Sequence, residues 1–541
     1  MSALSRVSRV SRVSRVSRVS AVLATLVLGA GSGAACSSAP LSDSSAADDE
    51  ALAHARRVPH GFRLGTAIAG FQVDMGCPTI APELCEDRRS DWYQWITTPR
   101  IEQNPLLYMS KDPASYGPGF FELYEHDIAR AKGELHNDAL RMGLEWSRIF
   151  PEPTFGIDGY ENLRRAASPV ALDYYHRVFA SLRAHGLLPL VTINHYSLPL
   201  WIHDGNACNE NIDTCAHRGW IDQDVIVPEI AKYAGFVARE FGGEVDQWAT
   251  LNEPFSAVVL PGYLLPSASR SNPPGLYLHA HLAKKATTSM IVAHARMYDA
   301  VKANDTVDAD GDGAASFVGL VSAVSDVAPL TGNARDAKAA SDARYLFNDL
   351  FLTGVAQGLL DEAWDGHPVY RADLANRLDY LGINYYFRII VQGTLFPIPG
   401  LSGISPYLTF NPLTEKQDGR YPQGIYDVLH DMQKYGRPLV ITETGTDEAK
   451  TPEDGPFWFV NTLSWVLKAK AEGVDVRGFY AWSLTDNYEW NHGMNMKFGL
   501  YAVDPRDPTK ARTRRPAGDV YGRIGAARAV PADLAARYGA P

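Results

Sequence analysis

The chain has 541 residues, with 51 basic and 62 acidic side chains and a formal net charge of −11. That length is ample for one large core, since (β/α) barrels often run past 250 residues with insertions. The acidic balance argues against nucleic acid as a partner.

The chain begins with a leader. Ser-Arg-Val repeats five times from Ser5 to Val19 without an acidic residue, and the apolar run Ala21 to Leu28 follows. That run is too short to span a bilayer, and small residues lead on to Cys36, so residues 1–36 read as a secretory signal peptide. Gly33-Ala34-Ala35-Cys36 resembles a bacterial lipoprotein cleavage box, in which the cysteine carries the lipid. The Leu usual three residues before that cysteine is replaced by Gly33. Ordinary cleavage after Ala35 is the alternative. Ser37 to Val58 is rich in Ser, Ala and Asp and reads as a flexible tether, which leaves 59–541 as one large domain. Export to the cell envelope or medium is expected, with the membrane touched only through a lipid on Cys36. Removing the five leader arginines leaves 46 basic against 62 acidic residues, a net −16.

Outside the cytoplasm, Cys77 with Cys85 and Cys208 with Cys215 form two close pairs suited to local disulfides. Two other connectivities, and free thiols, remain open. The spacing is not a zinc signature.

Eight segments read as strands: Phe62–Ala67, Asp138–Glu145, Leu188–Asn194, Gln247–Asn252, Phe317–Ala323, Tyr380–Tyr385, Leu439–Thr442 and Arg477–Trp482. Helical periodicity marks Ala171–His185, Val225–Phe241, Leu276–Ala303, Gln423–Lys434 and Phe457–Gly473 between them. Eight β/α alternations predict a single-domain (β/α)8 TIM barrel. No internal repeat or second domain stands out. The irregular stretches Cys77–Gly119, Asn206–Gly219 and Gly393–Arg420 are expected as loops around the barrel mouth.

Chemistry in such a fold sits where the strands end. Two strand-like runs finish on a glutamate followed by a breaker: Gln247 to Asn252 leads into Glu253-Pro254, and Leu439 to Thr442 into Glu443-Thr444-Gly445. A carboxylate pair is what glycoside hydrolysis needs, roughly 5–5.5 Å apart for retention and roughly 6.5–9.5 Å for inversion. Other strand ends are polar as well. Gln72 follows strand one, Arg141 and Glu145 are placed in strand two, and Asn194-His195-Tyr196 closes strand three. Asn384-Tyr385-Tyr386 closes strand six, and Trp482 closes strand eight with Asp486 to Trp490 just beyond. Singly each is ordinary. Together they supply hydrogen bonds to hydroxyls and flat aromatic platforms, as a sugar requires.

Thr250-Leu251-Asn252-Glu253-Pro254 and Ile441-Thr442-Glu443-Thr444-Gly445 resemble the two signature motifs of glycoside hydrolase family 1, the β-glucosidase and β-galactosidase family. Phe71 to Asp74, Glu145 to Ile149, Leu381 to Tyr386, Trp482 to Trp490 and Lys497 to Leu500 match too, so the resemblance runs from about Pro59 to about Ile524. Ala69 to Gln72, Asp91 to Trp95 and Tyr116 to Gly119 resemble the archaeal-type β-glycosidases of that family.

The resemblance implies a retaining β-glycosidase acting on terminal β-glucosyl, galactosyl or fucosyl residues. The substrates would be β-linked oligosaccharides or aryl and alkyl β-glycosides. Glu253 would be the acid/base and Glu443 the nucleophile. Asn252 would hold the sugar 2-hydroxyl. Gln72, His195, Glu489 and Trp490 would bind the other hydroxyls, and Trp482 would form the stacking floor. Arg141 and Tyr386 would touch Glu443, Asn384 would sit near Glu253, and Phe498 would support the site. Two positions depart from the family: Thr444 replaces the usual Asn, and Tyr196 the usual Trp. Glu489 implies an unphosphorylated sugar, because the phospho-glycosidase branch typically replaces it.

No cofactor is expected. Asp308-Ala309-Asp310-Gly311-Asp312-Gly313 resembles the first half of an EF-hand loop, with Asp308, Asp310 and Asp312 as candidate Ca²⁺ ligands. The twelfth position is Gly319 where the loop needs Glu, so a solvated acidic turn is the plainer reading. A sugar-binding surface lipoprotein on a degenerate barrel, and a transglycosylase using the same site, are the competing functions. The first would be expected to lose a carboxylate, and both are present.

Overall fold

In the computed structural model, residues 56–541 are described, apart from 268–269, 396–399, 402, 404–406, 410–419 and 450. The expected leader, Cys36 and nearly all of the tether fall outside these residues, as does much of the 393–420 loop.

Eight parallel strands close into a barrel in sequence order. They are β1 (Arg63–Ala67), β2 (Ala139–Gly143), β3 (Leu188–Asn194), β4 (Gln247–Asn252), β5 (Phe317–Ala323), β6 (Tyr380–Asn384), β7 (Leu439–Thr444) and β8 (Val476–Trp482). The outer helices are α1 (Phe120–Gly133), α2 (Pro169–Ala184), α3 (Gln223–Phe241), α4 (Ala280–Asn304), α5 (Leu350–Gln357), α6 (Gly424–Met432), α7 (Asp454–Ala471) and α8 (Pro516–Ala527). This is the expected (β/α)8 fold. The helices form for local reasons. In α2, Ser168 Oγ accepts from Ala171 N, Pro169 opens the first turn, and Leu172, Tyr175, Val178, Phe179 and Leu182 bury one face.

The barrel interior is packed. Ala67, Ala139, Leu190, Ala249, Val321, Tyr380, Val440 and Tyr480 form an inner cluster distinct from the larger one under the helices. Two tyrosines fill the axis because the strands beside them carry glycine. A Cβ on Gly65 would lie 2.6 Å from the Tyr480 ring, and one on Gly319 2.5 Å from that of Tyr380. Large and small residues thus interlock in the layered core of such a barrel.

Three strands are shorter than expected: β1 lacks Phe62, β6 lacks Tyr385, and β2 is three residues shorter. β2 stops at Gly143, so Glu145 lies outside it, opening the short helix Trp146–Ile149. Its carboxylate accepts from Phe71 N at 2.9 Å and from the Ser197 hydroxyl. Burial, with Asp87 nearby, pushes Glu145 up to about 8. Cys77 is bonded to Cys85 and Cys208 to Cys215, the two local pairings. Among the described residues, no helix is long and apolar enough to cross a membrane.

Candidate active site

Both glutamates sit where the strand register slips. On β4, Ala249 pairs with Gly319 of β5, yet Asn252 pairs with Val321. Three steps on β4 therefore oppose two on β5. On β7, Ile441 pairs with Ile383 of β6 while Glu443 pairs with Asn384. Such bulges re-aim side chains near active sites. Thr250 faces outward, its hydroxyl against His294 of α4 at 2.7 Å. After the slip Asn252 faces the barrel axis and meets Arg141.

The two carboxylates have different partners. Arg141 Nη1 donates to Glu443 Oε1 at 2.5 Å, and the Tyr386 hydroxyl donates to Glu443 Oε2 at 2.6 Å. Asn384 Nδ2 donates to Glu253 Oε1 at 2.7 Å. Asn252 lies between them, accepting from Arg141 Nη2 at 2.7 Å and from Asn384 Nδ2 at 3.2 Å. One chain of hydrogen bonds therefore links Glu443, Arg141, Asn252, Asn384 and Glu253. Burial lifts Glu443 above the ordinary range. Arg141 and Tyr386 oppose that rise, and the like charge of Glu253 adds to it.

The remaining expected residues surround this pair. Asn252 Nδ2 donates to Tyr196 Oη at 2.8 Å and to His195 Nε2 at 3.1 Å. Burial, with Arg141 and Arg270 nearby, holds His195 well below its usual value, so the ring is neutral. Gln72 Nε2 reaches Asn487 at 2.9 Å and Glu489 at 3.0 Å. Trp482 Nε1 donates to Glu489 Oε1 at 2.8 Å. Burial pushes Glu489 up to about 7, against the pull of Trp482 and Arg270. Trp490 stacks on Phe71 at 5.7 Å and on His195 at 5.9 Å. Phe498 meets the edge of Tyr386 at 6.1 Å. Tyr196, Glu253 and Trp490 all have positive φ, at 74°, 41° and 49°. Left-handed backbone at non-glycine residues tends to collect at functional sites.

These side chains line one cleft of about 410 Å³, within the usual range of roughly 300–1,000 Å³ for small-molecule sites. Gln72, His195, Glu253, Asn384, Tyr386, Glu443, Trp482, Glu489, Trp490 and Phe498 all reach it. Asn252 and Arg141 lie beneath, each about 1 % exposed. Of the departures, Thr444 is buried and its hydroxyl accepts from Trp458 Nε1 of α7 at 2.9 Å, away from the cleft. Tyr196 does line the cleft. Sequence reasoning missed Arg270, whose Nη2 lies 3.6 Å from Glu253 Oε2. It sits in an irregular loop 17 positions after Glu253, where no periodicity marks it.

The candidate calcium turn is far from this chemistry in its contacts. Carboxylate oxygens of Asp308 and Asp310 gather with Asp246, and Asp312 is not part of that group. Asp308 accepts from the N–H groups of Gly311, Asp312 and Gly313, Asp246 accepts from Ala309 N, and Asp310 pairs with Arg63 at 3.0 Å. Protein donors therefore occupy these carboxylates.

A (β/α)8 barrel with two carboxylates at the ends of β4 and β7, linked through Arg141, Asn252 and Asn384 and set among aromatic walls and hydrogen-bonding side chains, has the architecture of a glycoside hydrolase. The particular family follows from comparison. Residues 54–529 match the model of glycosyl hydrolase family 1, and the chain belongs to that family. It is 35 % identical to a β-galactosidase of Pyrococcus woesei over 486 residues, covering 82 % of this chain and 92 % of the relative. It is 32 % identical to a β-galactosidase of Saccharolobus solfataricus over 497 residues, covering 86 % and 94 %. The crystal structure of the Thermosphaera aggregans β-glycosidase superposes with a TM-score of 0.76 at 30 % identity, covering 89 % of this chain and 99 % of that one. The protein is a retaining O-glycosyl hydrolase of the β-glucosidase and β-galactosidase type.

Proposed function

We propose that this protein removes terminal non-reducing β-D-glucosyl, galactosyl or fucosyl residues from β-linked oligosaccharides or aryl and alkyl β-glycosides. The unequal treatment of the two glutamates carries the assignment of roles. Glu443 is held by a cation and a phenol, which favour a charged nucleophile. Glu253 takes its closest bond from the Asn384 amide, with the Ser256 hydroxyl at 3.3 Å and the Arg270 guanidinium at 3.6 Å, a looser hold than that on Glu443.

In the first step Glu443 attacks the anomeric carbon while Glu253 gives its proton to the glycosidic oxygen, and the aglycone leaves as an alcohol or phenol. The product is a glycosyl ester of Glu443. In the second step Glu253, now ionised, takes a proton from water, whose oxygen attacks the same carbon and frees Glu443. Two inversions give net retention. Asn252 takes the sugar 2-hydroxyl by releasing one of its present partners, Tyr196 or His195. Gln72, His195, Glu489 and Trp490 take the others over Trp482. Export is part of this proposal, argued from the Arg-rich leader and its apolar run, with Cys36 as lipid site.

The test is hydrolysis of p-nitrophenyl β-D-glucoside and β-D-galactoside by wild type, Glu443→Ala and Glu253→Ala. The expected result is an active wild type, a dead Glu443→Ala, and azide rescue of Glu253→Ala. A well-folded wild type that binds sugars but turns over neither substrate would overturn the reading. Mass spectrometry of the N-terminus made by exporting cells checks the leader; an unprocessed Met1 counts against export.

A further inference from the structure

The cleft is also lined by Leu260, Leu265, Phe347, Phe387 and Ile389. This wall is apolar and suits an aromatic ring. Among the described residues lining the cleft, Arg270 is the one arginine or lysine. Its side chain is 27 % exposed.

Arg270 and Arg141 are used differently. Arg141 is buried and fully engaged, donating to Thr192, Thr442, Glu443 and Asn252. Arg270 stands 3.6 Å from Glu253, within ion-pair reach but beyond a hydrogen bond. A planar fork of five N–H donors held this loosely has capacity for a carboxylate to take in bidentate fashion. Its place beside Glu253 puts it at the oxygen that links sugar and aglycone. An anion on the departing group would draw the fork off Glu253.

We propose that Arg270 is a specificity-determining residue that binds the carboxylate of an acidic aromatic aglycone. The preferred substrate class is thus a β-glycoside of a carboxylated phenol. This rests on the cleft being a β-glycosidase site. The test compares kcat/KM for 4-carboxyphenyl β-D-glucoside and its methyl ester, in wild type, Arg270→Lys and Arg270→Gln. The acid-to-ester ratio is read within each enzyme, so partial misfolding cancels. The ratio is expected to fall about tenfold in Arg270→Gln, in line with one charge-assisted hydrogen bond, and to lie between in Arg270→Lys. In wild type, KM for the acid is expected to rise with added salt while that for the ester holds. An equal ratio in wild type and Arg270→Gln, or a salt-insensitive KM for the acid, overturns the proposal and leaves the glycosidase reading intact. A folded wild type that hydrolyses neither compound overturns both.

Discussion

Asn384, at the end of β6, and Glu253, just after β4, are joined across the intervening β5, with Asn384 Nδ2 2.7 Å from Glu253 Oε1. The amide cannot turn over, because its Oδ1 accepts from the Thr442 hydroxyl at 2.8 Å. Thr442 in turn precedes Glu443 on β7. The side chain that orients one carboxylate is thus fixed by the strand that carries the other. Removing the amide in Asn384→Ala should lower kcat/KM by about tenfold to a hundredfold, the range for hydrogen bonds to charged groups. Thr442→Val should have a smaller effect in the same direction. Steady-state kinetics on an aryl β-glycoside check both, and an Asn384→Ala enzyme at wild-type rate would refute the coupling.

Arg141 and Glu443 form a buried pair with side chains 1 % and 5 % exposed. Breaking such a pair by removing one partner typically costs about 3–5 kcal/mol, because the other charge stays buried. Arg141→Met should be destabilised to that extent. Adding Glu443→Gln should restore much of the stability and none of the activity. Urea unfolding of the two single variants and the double variant measures this. If the double variant is as unstable as the two single losses added together, the ion-pair account is wrong.

Burial already raises Glu443 above the ordinary carboxylate range, and Tyr386 is one of the groups that hold it down. In its proposed role as nucleophile Glu443 must lose its proton before it attacks, so activity is expected to fall as the pH drops through the Glu443 transition. Without the phenol the charged form loses a donor and the transition moves to higher pH. Tyr386→Phe should therefore shift the acid limb of the kcat/KM profile upward. An unmoved or lowered limb would show that another group sets it.

Glu145 is pushed up to about 8 by burial, while in an unfolded chain it titrates near the usual glutamate value. The folded state thus binds the proton more tightly. Its contribution to stability is fully present below the ordinary value and is lost as pH rises toward 8. Glu145→Gln imitates the protonated form and should flatten the decline in stability between about pH 5 and pH 8. Thermal unfolding across that range gives the answer; an unchanged slope would place the proton elsewhere, for example on Asp74, which burial raises to about 6.

Much of the fold was legible because barrel strands are buried on both faces and read as short apolar runs. Leu188–Asn194, Gln247–Asn252 and Phe317–Ala323 have the same bounds in sequence reading and structure. Among the polar residues expected in the strands, Glu145 was misplaced by two positions. Leu144 extends the β2 pattern by hydrophobicity alone, and only the turn into Trp146–Ile149 ends the strand. Arg270 was invisible because a loop residue has no period, and its role depends on which wall of the cleft it reaches.

The sequence by itself determined the eightfold alternation of strand and helix and the placement of Glu253 and Glu443 at strand ends, since both follow from local pattern. It also carried the family motifs, from which the partners of each glutamate could be expected. Tertiary structure alone decided how these groups are aimed. Strict alternation along β4 and β7 would set side-chain directions one residue at a time. The register slips at Asn252 and Glu443 break that alternation. A slip arises from pairing with β5, β6 and β8, so no window of sequence around either glutamate contains its cause. The same holds for the asymmetry on which the proposed roles of the two carboxylates rest. Arg141 comes from β2 and Tyr386 from the end of β6, and only closure of the barrel brings them both onto Glu443.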